Sequence, residues 1–221
     1  MLDEIYASYY KALYDTDSEQ AHKVISSALE HGVSPQELIL KVISPSMEQF
    51  AEDFVDNTVT LAQHFLTSSI SSGIIEELLA DFKLEGEGKG VVIIGTASGD
   101  FHGLGKKIVS GFLKTALFEV VDLGINVSPK RFYETATQYS HAVIGISSMM
   151  AHTALSPEGA AGVREIIESE GLHNRYKLIV GGAPYKFDDT LWQHTGADCW
   201  AIDGPDAVKK VQNLFAELET V

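Results

Sequence analysis

An aspartate and a histidine two residues apart lie in a glycine-rich segment that follows an apolar run. The run Val91–Ile94 is long enough for a buried strand, and residues 95–105 read Gly-Thr-Ala-Ser-Gly-Asp-Phe-His-Gly-Leu-Gly. The carboxylate of Asp100 can hydrogen-bond one ring nitrogen of His102 and make the other a better metal donor. In open α/β sheets, ligands bind outside the carboxyl ends of the strands, where such a loop lies. The segment therefore predicts a metal-centred cofactor.

Two later segments place polar and small residues where the same ligand would lie. Ser147 and Thr153 follow a third predicted strand, and Gly181-Gly182 follows a fourth. We interpret Ser147 as a hydrogen-bonding partner for a buried heterocycle, and Thr153 as a hydroxyl that completes a relay with Asp100 and His102. Glycine backbone can pack against a flat ring because no Cβ intervenes. Other polar residues nearby are expected to be structural: capping hydroxyls at Ser148 and Ser156, and solvated side chains at Lys106 and Lys107.

Several other kinds of site do not fit these residues. The glycines between Gly95 and Gly105 lack the G-x-G-x-x-G spacing, and no Gly-Lys-Ser/Thr follows, so a nucleotide site is disfavoured. The chain has no G-x-S-x-G motif and no Cys/His spacing of the kind that builds a zinc site. A single histidine ligand suits a metal already held by a macrocycle, such as a corrin or a haem.

Charge and composition limit the partners and the compartment. The net charge is −15 over 221 residues, of which −12 falls on residues 1–88 and −3 on residues 89–221. So acidic a surface repels nucleic acid, and the acidic half is a candidate docking face for a basic partner. The chain has one cysteine, no 18-residue apolar run and an acidic start without a signal sequence, so we expect a cytoplasmic protein without a membrane contact.

The pattern of apolar residues divides the chain into two domains. Residues 1–82 read as an all-α helical bundle, residues 83–90 as a polar glycine-rich linker, and residues 91–221 as an α/β domain. Strand-like runs are predicted at 91–95, 119–123, 142–147, 177–181 and 198–202. Helical segments are predicted near 104–117, 129–138, 157–171, 187–193 and 204–219. Five such units predict a doubly wound parallel sheet of flavodoxin-like, Rossmann-like type with strand order 2-1-3-4-5.

Helix starts in the bundle are predicted from capping residues. Ser18, Ser34-Pro35, Ser44-Pro45 and Asn57 each precede a segment with apolar residues at three- and four-residue spacing.

The site segments resemble the cobalamin-binding signature of methyltransferase corrinoid proteins, D-x-H-x-x-G…S-x-L…G-G. The corresponding residues are Asp100-x-His102-x-x-Gly105, then Ser147-x-Met149, then Gly181-Gly182. The preceding bundle is similar to the cap of methionine synthase and of the methanol, methylamine and O-demethylase corrinoid proteins. The resemblance covers residues 40–221. The chain departs from it at Met149, at Ala151, where many corrinoid proteins carry threonine, and at Thr60-Leu61-Ala62-Gln63, where the family has Phe-Leu-Pro-Gln.

The resemblance implies a cobalamin bound base-off, with its tail in a pocket and a histidine as the lower cobalt ligand. It makes His102 the metal ligand, Asp100 and Thr153 its relay partners, and Gly103, Gly105, Ser147, Met149, Gly181 and Gly182 further cofactor contacts. It implies a methyl carrier cycling between cob(I)alamin and methylcobalamin, more a subunit than a complete enzyme. The implied partners are a methyl-donor:corrinoid methyltransferase, a corrinoid:tetrahydrofolate or thiol methyltransferase, and a reductive activating protein. His64 or Phe65 would replace the missing cap aromatic.

Two alternatives stay open at this point. A cobalamin-dependent sensor would need a DNA-binding or signalling module, and no basic recognition helix is present. The small subunit of an adenosylcobalamin mutase would normally lack the helical cap.

Overall fold

The computed structural model describes residues 1–80 and 89–218, which fall into two compact units divided between Asp81 and Phe82. The predicted linker, residues 83–90, lies outside the described residues except for Lys89 and Gly90. No helix among the described residues is both long and apolar enough to cross a membrane.

The N-terminal unit is entirely helical. Its helices are α1 (Leu2–Tyr14), α2 (Ser18–Glu30), α3 (Pro35–Leu38), α4 (Ser44–Val55) and α5 (Leu61–Ala80), with a π-helical stretch, Ile39–Ile43, joining α3 to α4. Helix α1 packs against α2, against the π-helical stretch and against α5. The core of the unit contains Tyr9, Leu13, Leu38 and Phe50, each with no exposed surface.

The predicted helix cap is observed at one helix, and the predicted cap is wrong at three. Ser34 and Glu37 form the capping box that the Ser-Pro pair predicted. Asp17, not Ser18, caps α2, by accepting a hydrogen bond from Gln20 N–H at 2.9 Å.

Helix α4 begins at Ser44, as predicted, but Ser44 does not cap it, because the π-helical stretch carries the chain continuously from α3 into α4. A proline lacks the N–H that an α-helix needs, and a wider turn just before it accommodates that loss. Helix α5 is preceded by Thr60, whose hydroxyl accepts a hydrogen bond from Gln63 N–H at 3.2 Å. Asn57 lies in the turn before it with φ +59°, so the prediction that Asn57 caps this helix is wrong.

The C-terminal unit is a five-stranded parallel sheet with helices on both faces. The strands are β1 (Val91–Thr96), β2 (Glu119–Asp122), β3 (Ala142–Ser147), β4 (Tyr176–Gly181) and β5 (Cys199–Ala201). The strand order is β2-β1-β3-β4-β5, which confirms the flavodoxin-like prediction.

The helices of this unit follow the strands in alternation. They are α6 (Leu104–Thr115), α7 (Pro129–Ala136), α8 (Ala151–Ala154), α9 (Ala160–Ser169), α10 (Ala183–Phe187) and α11 (Gly204–Leu218), with a 3₁₀ turn at Leu191–Thr195. Two apolar clusters cover the sheet. Ile93, Ile144 and Leu178 lie in one, whereas Val92 and Val143 lie in the other, so successive strand residues fill opposite cores. The continuous apolar runs of β1 and β3 reflect burial on both faces.

Candidate functional site

The carboxyl ends of four strands meet in one row, and the loops that follow them form the candidate site. Thr96 pairs with Ser147, Ser147 with Gly181, and Gly181 with Ala201. This register brings together the loops after β1, β3 and β4, as the sequence predicted. The switch point of the sheet, between β1 and β3, therefore lies between Asp100 and Thr153.

The Asp100 carboxylate accepts four hydrogen bonds and has no exposed side-chain surface. Its Oδ1 accepts from the backbone N–H of His102 and from the ring Nδ1 of His102, both at 3.0 Å. Its Oδ2 accepts from the Met149 backbone N–H at 2.7 Å and from the Thr153 hydroxyl at 2.8 Å. The sequence could predict the His102 and Thr153 partners, but not the Met149 N–H, which comes from backbone geometry.

These donors determine the charge of Asp100. Burial alone would raise the pKa of the carboxyl group, but the hydrogen bonds from His102, Met149 and Thr153 outweigh burial and lower the pKa below its ordinary value. Asp100 is therefore a permanent anion at neutral pH, and an ionised carboxylate can only accept hydrogen bonds.

The two ring nitrogens of His102 have different surroundings. Nδ1 faces the Asp100 carboxylate and must therefore carry a proton, which leaves a lone pair on Nε2 in the neutral ring. Nε2 has no hydrogen-bonding partner in residues 1–80 and 89–218, and 59% of the side chain is exposed. The arrangement presents a single oriented nitrogen donor at the edge of the sheet.

Thr153 completes the predicted group of three. The residue is buried, and its hydroxyl lies 2.8 Å both from Asp100 Oδ2 and from the Met150 carbonyl oxygen. A hydroxyl has one proton, so the two acceptors compete for it, and the carboxylate is the stronger.

The glycines of the site differ in whether the fold itself requires glycine at the position. A Cβ on Gly182, whose φ is +118°, would lie 2.0 Å from the Ser148 carbonyl oxygen, so the fold itself requires glycine there. A Cβ on Gly103 would lie 3.2 Å from Ile125, and one on Gly181 would lie 3.2 Å from the Ala201 carbonyl oxygen. A Cβ on Gly105 would meet nothing within 4 Å, and its φ is not positive. No contact within residues 1–80 and 89–218 therefore explains Gly105, which fits close approach of a ligand.

The structural expectations for Ser148 and Lys106 were wrong. Ser148 is not a helix cap: it is buried, and its hydroxyl hydrogen-bonds the buried hydroxyl of Tyr185, which also bonds Thr195. Burial raises the pKa of Tyr185 to about 12. Lys106 is not solvated, because its side chain is only 3% exposed and its ammonium group pairs with the Asp122 carboxylate.

The remaining predicted cofactor contacts, Ser147 and Met149, are accessible at the carboxyl ends of the strands. The Ser147 side chain is half-buried, and its hydroxyl has no hydrogen-bonding partner in the described part of the chain. The Met149 side chain is 45% exposed, so this residue presents its side chain to the edge while its N–H holds Asp100. Ser156 accepts from Glu158 N–H at 3.1 Å in the turn before α9, but the cap position of α9 is Gly159, so the prediction that Ser156 caps this helix is wrong.

The donor set and the glycines together fit a corrinoid. No three His, Cys, Asp or Glu side chains gather into a metal site within residues 1–80 and 89–218. One imidazole suits a metal whose remaining positions a macrocycle supplies. A separate cavity of about 350 Å³ lies beside Gly90 and His141, at the opposite edge of the sheet, and contains none of the predicted site residues.

Comparison with known proteins agrees with the cobalamin signature. Two profiles, each described as a B12 binding domain, match residues 90–212 and residues 5–79. The chain is 33% identical to trimethylamine corrinoid protein 1 of Methanosarcina mazei over 214 residues, covering 95% of this chain and 96% of that protein.

Two further proteins extend the comparison. The chain is 36% identical to dimethylamine corrinoid protein 3 of Methanosarcina acetivorans over 185 residues, covering 83% and 84% of the two chains. The structure of the monomethylamine corrinoid protein of Methanosarcina barkeri is similar in fold, with a TM-score of 0.88 at 24% identity, covering 97% of this chain and 100% of that one.

Proposed function

This chain belongs to the family of corrinoid proteins with B12-binding domains, and we propose that it carries methyl groups between two methyltransferases. A bound cobalamin would supply a cobalt centre that takes up a methyl group in the cob(I)alamin state and gives it away from the methylcobalamin state. The observation that carries the proposal is the pairing of an exposed His102 with a buried, permanently ionised Asp100.

His102 would hold the cobalt through Nε2. The hydrogen bond from Nδ1 to Asp100 fixes the tautomer that leaves Nε2 unprotonated, and the carboxylate makes the imidazole a stronger donor. Because Nδ1 is committed to the carboxylate, any proton that His102 exchanges during the cycle must be exchanged at Nε2.

Asp100 and Thr153 would keep the ligand in place while the cobalt changes its state. With four donors around it, the carboxylate has no free position for an additional proton. Asp100 therefore acts as a fixed negative charge beside the imidazole, and Thr153 and Met149 hold that charge in position.

The cofactor tail would lie beside Ser147, Gly181 and Gly105. The Ser147 hydroxyl has no partner in the described part of the chain, and is therefore available to a heterocyclic nitrogen. The open space at the Cβ position of Gly105 admits close approach at the start of α6.

We propose an N-methyl compound as the source of the methyl group, because the relatives at 33–36% identity are named for trimethylamine and dimethylamine. A methyl-donor:corrinoid methyltransferase would load the cobalt, a tetrahydrofolate or thiol methyltransferase would unload it, and a reductive activating protein would restore cob(I)alamin. The helical unit, which carries most of the net charge of −15, is a candidate docking face for these partners. We place the protein in the cytoplasm, since its single cysteine fits a reducing compartment.

The test is reconstitution of the full chain with hydroxocobalamin, followed by visible spectroscopy. We expect stoichiometric binding with a base-off, histidine-bound spectrum that His102→Ala abolishes. His141→Ala is the matched control, because His141 is exposed at the opposite edge of the sheet and should leave the spectrum unchanged. A spectrum that does not depend on His102 would remove the proposed function.

A further inference from the structure

The main chain of Asp100 is held from a second loop that the cobalamin signature does not include. The Thr96 hydroxyl donates to the Asp100 carbonyl oxygen at 2.5 Å. The backbone N–H of Asn126, in the loop after β2, lies 3.0 Å from the same carbonyl oxygen and 2.8 Å from the Thr96 hydroxyl oxygen. The Asn126 side chain adds a third contact, since its Oδ1 accepts from Gly99 N–H at 2.8 Å.

Asparagine at position 126 combines two properties. Its φ is +54°, in the left-handed region that glycine and asparagine adopt most readily. This conformation directs its N–H to Asp100 and Thr96, while the side-chain oxygen reaches Gly99, whose φ is +79°. Glycine would keep the backbone conformation and lose the side-chain bond, whereas aspartate would keep an acceptor oxygen.

The orientation of His102 depends on these contacts because little else holds it. Its side chain is 59% exposed, and its neighbour Phe101 is 64% exposed, so packing contributes little to the position of the ring. The imidazole is held through the Asp100 carboxylate. Thr153 and Met149 fix that carboxylate from the segment after β3. Its main chain is fixed by Thr96, at the end of β1, and by Asn126, in the loop after β2.

We propose that Asn126 is a positioning residue for the His102 metal ligand, acting through the Gly99–Asp100 turn. This inference rests on the proposed function for the role of His102, but the geometric part is independent of any cofactor. Groups that orient a ligand contribute to metal affinity without touching the metal, and their loss typically weakens binding about 10–100-fold.

The experiment has one readout without cofactor and one with it. In the ¹⁵N-labelled chain without cobalamin, NMR reports which nitrogen of His102 carries the proton. Wild type should show the Nδ1–H tautomer, and Asn126→Gly should show a mixture with Nε2–H. With hydroxocobalamin, Asn126→Gly should bind about 10-fold more weakly with a smaller histidine-bound fraction. Asn126→Asp should return both readouts to within about 2-fold of wild type, because it keeps the acceptor oxygen.

Asn57 provides the matched control. It also has a left-handed conformation, with φ +59°, and its side chain makes one hydrogen bond, to the Val55 carbonyl oxygen at 3.3 Å. It lies in the helical unit, so Asn57→Gly makes the same chemical change outside this network and should leave the His102 tautomer and the spectrum unchanged. Thr96→Val removes the bridging hydroxyl and, in a folded protein, should shift the tautomer as Asn126→Gly does.

The outcomes separate this inference from the proposed function. If Asn126→Gly and Thr96→Val both keep the wild-type tautomer and the wild-type cobalamin spectrum, Asn126 is not a positioning residue, whatever the result for His102→Ala. If wild type shows no His102-dependent spectrum, the proposed function fails, and the NMR measurement still decides whether Asn126 orients His102. If Asn126→Gly cannot be folded, Thr96→Val carries the test, and the wild-type tautomer in that variant would overturn the proposal.

Discussion

Replacing Asp100 by asparagine should weaken both the fold and the cofactor site. The side chain keeps its shape, but one acceptor oxygen becomes an NH₂ group. If the amide oxygen remains beside His102, the NH₂ group faces Met149 N–H and Thr153. Thr153 can turn its proton to the Met150 carbonyl oxygen, 2.8 Å away, but the buried Met149 N–H loses its acceptor.

The opposite orientation of the amide changes the tautomer of His102. The NH₂ group then faces His102 N–H and Nδ1, and Nδ1 can only become an acceptor if the ring proton moves to Nε2. That tautomer cannot coordinate a metal through Nε2. Both orientations therefore leave one backbone N–H without an acceptor. The second orientation also places a proton on Nε2 of His102 and so removes the lone pair that would bind a metal.

The magnitude follows from the hydrogen bonds lost. An unsatisfied buried N–H costs about 1–3 kcal/mol, and the two bonds that the amide oxygen still accepts weaken by up to about 1 kcal/mol each because the acceptor is no longer charged. Relief of the buried charge offsets part of this loss. We expect Asp100→Asn to lose roughly 2–4 kcal/mol of unfolding free energy at pH 7, and to bind hydroxocobalamin about 10–100-fold more weakly.

The effect on stability should depend on pH in one direction. Because folding lowers the pKa of Asp100, its contribution is fully present above the unfolded value of about 3.9 and is lost as pH falls through the folded pKa. Urea unfolding at several pH values should therefore show a difference between wild type and Asp100→Asn that shrinks below about pH 4. Asp188→Asn is the control, because Asp188 also accepts from a threonine hydroxyl but is exposed, and it should leave the affinity unchanged. A variant as stable as wild type at pH 7 would refute the role of the four donors.

Three further substitutions test the site and its surroundings. Gly182→Ala should lose roughly 3–5 kcal/mol of unfolding free energy, measured by urea unfolding, because its Cβ would lie 2.0 Å from the Ser148 carbonyl oxygen at a φ of +118°; an unchanged stability would contradict that contact. Gly105→Ala should instead gain up to about 1 kcal/mol, since alanine favours the helix, and should lower the hydroxocobalamin affinity in a binding titration; full affinity would argue against a ligand beside α6. Lys106→Met should lose about 1–3 kcal/mol by breaking the pair with Asp122, with hydroxocobalamin affinity within about 2-fold of wild type; a large loss of affinity with retained stability would mean that the lysine serves the ligand.

The strand order and the loops of the site could be predicted because they depend on local patterns. Uninterrupted apolar runs such as Val91–Ile94 indicate strands buried on both faces, and alternation with helical segments leads to a parallel sheet. The strand order then places the loops after β1, β3 and β4 at one edge. The approach of Asp100 to His102 and Thr153 follows from that topology together with the cobalamin signature.

The supporting contacts could not be predicted, because they depend on three-dimensional backbone positions. The Met149 N–H and the Asn126 N–H are groups that every non-proline residue has, so no residue type marks them. Lys106 was misassigned because a lysine near a helix start is usually exposed, and only the position of Asp122 explains its burial. Helix α4 does begin at Ser44, but the predicted capping roles of Asn57 and Ser44 were wrong, because a left-handed turn and a π-helical stretch override local capping preferences.

The number of donors around Asp100 determines what kind of ligand His102 can be. A carboxylate with an unoccupied position could share a proton with the imidazole, and the ring could then present either nitrogen. Here four donors occupy the carboxylate, so its charge stays fixed and Nδ1 of His102 stays turned inward. The exposed Nε2 is then the nitrogen through which His102 would hold the proposed cobalt. A methyl carrier would need a ligand whose position does not depend on the metal, and the segments after β2 and β3 supply this by fixing Asp100, and through it the His102 ring.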